Sequence, residues 1–138
     1  MGKLRLELDP EFDFRLICIS SQEKDYRFCW GLNQATGIRF ERINNLSPSG
    51  KDRLEESYPA FEFEDPDMHI QYRLINNRFG KNVFQPELHE FNFLLLVKGE
   101  LQDERFSRLM EDIHKTGMVF FAEEADPGKL KNKNDLLY

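Results

Sequence analysis

The chain opens on an alternating run. In Lys3–Leu8, Leu4, Leu6 and Leu8 share one face, and Lys3, Arg5 and Glu7 the other, the period of a half-solvated strand. Asp9-Pro10 turns the chain. Over Phe12–Ile19 the even positions Phe12, Phe14, Leu16 and Cys18 are apolar throughout, while the odd ones change from polar (Asp13, Arg15) to apolar (Ile17, Ile19). This predicts a strand that ends covered on both faces. Ser20 and Glu23 have capping-box spacing, so a helix is predicted over Ser21–Thr36, closed by Gly37 in a left-handed C-cap. Ile38–Ile43 reads as the next strand, and Asn44–Ser57 as the main loop. Ala60–Glu64 and Ile70–Ile75 alternate again, with Phe61 and Phe63 inward in the first and Ile70, Tyr72 and Leu74 on one face of the second. Asn76–Asn82 is a second loop. Phe91–Val97, apolar at nearly every position, reads as a central strand. Phe106, Leu109, Met110 and Ile113 follow at i, i+3, i+4 and i+7, an amphipathic helix ended by Gly117. Met118–Ala122 reads as a second buried strand.

The predicted order is β-β-α-β-β-β-β-α-β. It implies an α+β fold: a mixed, largely antiparallel sheet with two helices packed on one face. The two strand–helix–strand segments, 12–43 and 91–122, are similarly spaced but share no residue-level repeat.

Length and charge narrow the class. At 138 residues and 40% hydrophobic, the chain suits one domain, 1–138, with a core. Residues 128–138, short and rich in Asn and Lys, are expected to be a frayed tail. No apolar run approaches the roughly 20 residues of a membrane span. No secretory signal pattern opens the sequence, which implies a cytoplasmic location. The net charge of −6 argues against nucleic acid as a partner.

The first predicted helix is unusual. On a helical wheel Tyr26, Phe28, Cys29, Trp30, Leu32 and Ala35 cover about 220°, more than one sheet face requires. Such a helix is expected to be covered on two sides: the second cover could be the other helix, the long loop, another subunit or a separate partner. Asp25 and Asn33 fall inside the apolar arc, and Arg27 in the polar strip. Asp25 would complement the helix N-terminus and Asn33 would bond a loop backbone; alternatively both line a small polar pocket beside Tyr26 and Trp30.

Other chemistry is weakly signalled. Cys18 and Cys29 read as core thiols, and His69, His89 and His114 sit on separate elements. Neither a metal-ligand spacing, nor a G-x-S-x-G, nor a phosphate-binding glycine loop is present, so no catalytic residue, metal or cofactor is assigned.

Two segments together resemble a known family. One is Ile19-Ser20-Ser21 followed by Lys24–Asn33; the other is Asn76-Asn77-Arg78 followed by Gln85-Pro86-Glu87-Leu88-His89-Glu90-Phe91-Asn92-Phe93. They are similar to the bacterial IPExxxVDY family. Pro86 and Glu87 match its name-giving motif, while Gln85, Phe91, Asn92 and Phe93 stand where the name has Ile, Val, Asp and Tyr. Asn92 cannot act as a base. The family carries no established activity, so the resemblance implies a cytosolic bacterial protein and supplies no mechanism.

The expectation is a non-enzymatic interaction or adaptor module, with a protein partner or as a self-associating homo-oligomer, and with neither nucleic acid nor membrane. The alternative is a small-ligand-binding protein or an enzyme of unrecognised type. Its site would join Asp25, Tyr26, Arg27, Trp30 and Asn33 to Asn76, Arg78 and Glu87.

Overall fold

Alternating and doubly apolar runs condense into one sheet in the computed structural model, which describes residues 14–136. The expected strand at Lys3–Leu8 lies outside the described residues. The strands are β1 (Phe14–Ser21), β2 (Glu41–Leu46), β3 (Tyr58–Asp65), β4 (Ile70–Asn76), the two-residue β5 (Arg78–Phe79) and β6 (Asn82–Val83), β7 (Phe93–Lys98) and β8 (Val119–Ala125). The helices are α1 (Asp25–Thr36) and α2 (Asp103–Lys115). The molecule is α+β, as the pattern of runs predicts.

Among the described residues six strands form one sheet in the order β2-β3-β4-β7-β1-β8, and β5 and β6 pair in a separate two-stranded sheet. Every neighbouring pair is antiparallel. β7 and β8 therefore run parallel with β1 between them, and α2 is the crossover that steps over β1. α1 carries the chain from β1 to the far edge.

The doubly apolar strands are explained by two covers. Ile17 and Ile19 of β1, with Phe93, Leu95 and Val97 of β7, pack under the helices against Phe28, Leu32, Phe106, Leu109 and Ile113. Leu16, Cys18, Leu94 and Leu96 face the other way. They are covered by Phe84 and Phe91 from the 77–92 segment and by Leu130 and Leu136 near the C-terminus. Residues 128–136, which composition suggests would fray, thus place two buried leucines on the second face.

Three expectations are corrected. α1 starts at Asp25, not Ser21, and the capping box does not form. Ser20 and Ser21 stay in β1, paired to β8, and the Ser21 N–H donates to Asn92 Oδ1 at 2.9 Å. Glu23 pairs instead with Arg27 at 3.1 Å. Gly37 does close the helix, with φ 80° and its N–H on the Asn33 carbonyl. The strand expected at 38–43 forms at 41–46, because Asn33 engages both backbone groups of Phe40: its Oδ1 accepts the Phe40 N–H at 3.0 Å, and its Nδ2 donates to the Phe40 carbonyl at 3.4 Å. Finally, Met118–Ala122 is not a buried strand. Among the described residues β8 is a sheet edge, and its register slips by a bulge opposite Ser20/Ser21.

Candidate interaction surfaces

α1 shows what the wide apolar arc is for. Its inner side buries Phe28, Cys29 and Leu32, with the Phe28 ring stacked on Phe93 at 4.5 Å. Its flank rests on the start of β8: a Cβ at Gly31 would come within 2.9 Å of the Met118 side chain. At ~100° per residue, Trp30 and Tyr26 lie about 100° and 140° round the helix from that contact, on the crest and away from β8. There they are bare, Tyr26 at 66% and Trp30 at 57% exposed. The expected second cover therefore extends to one flank only. Arg27, also exposed, pairs with Glu23. Asp25 accepts the Tyr26 N–H at 2.7 Å in the first turn, where a carboxylate complements the helix N-terminus.

The remaining expected site residues have local duties. Asn76 is the last residue of β4, opposite Phe93. The Arg78 guanidinium donates to the His89 carbonyl. Glu87 accepts the Lys131 backbone N–H, fastening the C-terminal segment. Among the described residues, no hydrogen bond or ion pair joins these three to Asp25, Tyr26, Arg27, Trp30 or Asn33. Asn33 follows the backbone-bonding alternative, in its grip on Phe40.

Three residues of the second family-like segment carry more structure than those picked from it. Asn77 is fully buried. Its Nδ2 donates to the Leu88 and Phe91 carbonyls at 3.0 and 2.9 Å, and its Oδ1 accepts the Gln85 N–H at 2.8 Å. Gln85 is buried as well and donates to the Asn132 carbonyl at 2.9 Å. Asn92 bridges to β1, its N–H on the Ile19 carbonyl and its Oδ1 under Ser21. Sequence reasoning had a usable signal here: amides beside a doubly apolar strand must be satisfied if buried. It was the neighbours Asn76 and Arg78 that drew attention instead.

The second bare apolar surface is β8. Phe120 is 68% and Phe121 48% exposed, although Phe121 stacks on Phe91 at 5.9 Å. Among the described residues β8 pairs only with β1, and its outer backbone edge has no strand partner. Charge is polarised along it. Glu123, Glu124 and Asp126 cluster at its C-terminal end, where Glu124 is held by Arg15 at 2.9 Å. Lys115 and His114 precede its N-terminal end, and Lys24 follows the paired Ser21.

The thiols are not primed for nucleophilic work. Burial pushes Cys18 up to about 12, helped by Glu123 and Glu90, and pushes Cys29 up to about 11, helped by Asp25. Among the described residues no group of three or more His, Cys, Asp or Glu is placed to hold a metal ion. No described helix is long and apolar enough to cross a membrane. Comparison with protein-family models, curated proteins and solved structures finds no match to the chain.

Proposed function

We propose that this chain is a non-enzymatic interaction module that pairs with a second copy of itself through the outer edge of β8. The observation that carries the reading is the pair Phe120 and Phe121, bare in the N-terminal half of a strand that is an edge among the described residues. An open edge is a template for strand addition, and soluble proteins usually blunt it with charge. Here the acids lie in the C-terminal half of β8 and the aromatics in its N-terminal half. Antiparallel pairing about a two-fold axis near these rings closes after two copies. It would set the acidic end of each edge against the basic end of its partner, around Lys24, His114 and Lys115. Tyr26 and Trp30 offer a second apolar patch, but no charge polarity along it names an occupant. Membership of the IPExxxVDY family and a cytoplasmic location are proposed on the sequence likeness alone.

Light scattering after size exclusion tests the pairing. The wild-type chain should run as a dimer that dissociates on dilution. Phe120→Lys, which disturbs a ring with no stacking partner among the described residues, should run as a monomer with unchanged circular dichroism and melting temperature. A wild-type monomer at the highest soluble concentration overturns the proposal, as does a dimer indifferent to Phe120→Lys and Glu123→Lys.

A further inference from the structure

Between the C-terminal half of α1 and the outer side of α2 lies a groove of about 800 Å³, far from β8 in the strand order and independent of the pairing just proposed. Small-molecule sites fall within roughly 300–1,000 Å³, apolar for the most part with a few convergent polar groups. The groove falls in that size range, but its lining is more polar than apolar. Ile38, Leu101 and Leu109 supply apolar surface, and Tyr72 of β4 lies at the floor.

Two features point to an occupant. Tyr72 is only 5% exposed, its ring held between Phe40 and Phe63 at 6.2 and 6.4 Å. Its hydroxyl has no hydrogen-bond partner among the described residues, and Tyr72 lines the groove. The ring is buried, but the hydroxyl reaches solvent at the groove and is free to donate. Arg105 and Arg108 also line the groove, three residues apart on α2 and so on one face, their Cβ atoms roughly 5–6 Å apart. Neither makes an ion pair or hydrogen bond among the described residues. Arg105 is close enough to Tyr72 to oppose the upward push of burial on its phenol. The groove's acids do not cancel this. Asp112 stands 4.0 Å from Lys115, a third cation on the wall, which leaves Glu104 against two unpaired guanidiniums. The result is a cationic concavity on a chain of net charge −6.

We infer that this groove binds a small amphipathic oxyanion, a carboxylate or phosphate on an apolar body, with Arg105 and Arg108 on the anionic head and the Tyr72 hydroxyl donating to it. Guanidinium forks suit both head groups. The apolar body would lie along Ile38, Leu101 and Leu109.

Amide chemical shifts of the 138-residue chain provide the test. Octanoate and octyl phosphate are titrated in, with octanol as the neutral body and vesicles of an anionic phospholipid as the membrane arm. At least one of the two anions should shift Ala35, Thr36 and the amides of 101–115 saturably, and octanol should bind about tenfold more weakly or worse. Arg105→Glu with Arg108→Glu should remove the response. Tyr72→Phe keeps the packed ring and should weaken binding about three- to tenfold. Equal affinity for octanol overturns the proposal, as do shifts that miss the groove or survive the double charge reversal. Capture by vesicles with no response to either soluble anion also overturns it. Light scattering on the same samples reads the β8 pairing separately, so one proposal can fail without the other.

Discussion

Asn77 shows how much one buried amide can decide. Both ends of its side chain are used, on two carbonyls and one N–H drawn from residues 85, 88 and 91. That ties the 77–92 segment into a cover carrying Phe84 and Phe91 onto the second face. Replacing it with alanine strands three backbone groups at a site closed to water. Each unsatisfied buried group costs about 1–3 kcal/mol, partly relieved by relaxation, so Asn77→Ala should destabilise by about 2–4 kcal/mol. Its exposed neighbour Arg78, with one backbone contact, should cost less than about 1 kcal/mol on the same change. Urea denaturation of the two variants checks the contrast, and equal losses would contradict the bracket role. The sequence marks Asn77 only as one amide in an Asn-Asn-Arg string. Which of the two asparagines turns inward depends on where β4 ends, and periodicity does not locate a strand end to one residue.

At the scale of elements, runs with a clean period are legible and edges are not. Phe106, Leu109 and Ile113 are buried on α2 as their spacing requires, and Leu74 and Tyr72 turn inward on β4 as alternation requires. The apolar string Met118–Ala122 misleads because composition reports that a strand can be buried, whereas strand order decides whether it is. Nothing local to residues 118–122 says that β1 has β7 on one side and β8 on the other. The α1 start is misplaced for a related reason. The ladder to β8 and the Asn92 side chain hold Ser20 and Ser21 in strand geometry, and so override a capping motif. The candidate site was legible only in part: the over-wide arc marks Tyr26 and Trp30, whereas the link to Asn76, Arg78 and Glu87 rested on segment likeness, and among the described residues no hydrogen bond or ion pair joins the two groups. Gly31, in mid-helix, gives this scale its own prediction. Glycine there costs ~1 kcal/mol of helix propensity relative to alanine. Its close neighbours are the Sδ and Cε of Met118, the flexible end of that side chain. Gly31→Ala should therefore be neutral or stabilising by up to about 1 kcal/mol, because Met118 can swing aside. A melting temperature lowered by several degrees would show that α1 needs the closer approach.

At the scale of the whole molecule, the sheet is covered by two unlike layers. The helix layer is periodic and local in sequence. The opposite layer is assembled from residues far apart: Phe84 and Phe91 from one segment, Leu130 and Leu136 from another, with polar fasteners between them. Ser49 donates to Asp135 through its N–H at 3.0 Å and its hydroxyl at 2.6 Å. Arg53 stands 3.9 Å from the same carboxylate and donates to Glu56 and to the Val83 and Phe84 carbonyls. Two leucines among Lys and Asn carry no period, which is why this layer cannot be read from residues 128–136 alone. If that layer closes the core, Leu136, only 1% exposed near the end of the chain, is an ordinary core residue. Leu136→Ala should then cost about 2–5 kcal/mol, as elsewhere in a packed interior. The loss should also appear in hydrogen exchange as faster opening of Leu94 and Leu96 on the face beneath, with the helix-face amides of α2 much less affected. A terminus that merely rests on the surface would change stability by less than about 0.5 kcal/mol and leave the exchange of β7 untouched. The two outcomes are far enough apart that one denaturation curve separates them, and the exchange map then shows whether the two layers unfold together or the assembled one opens first.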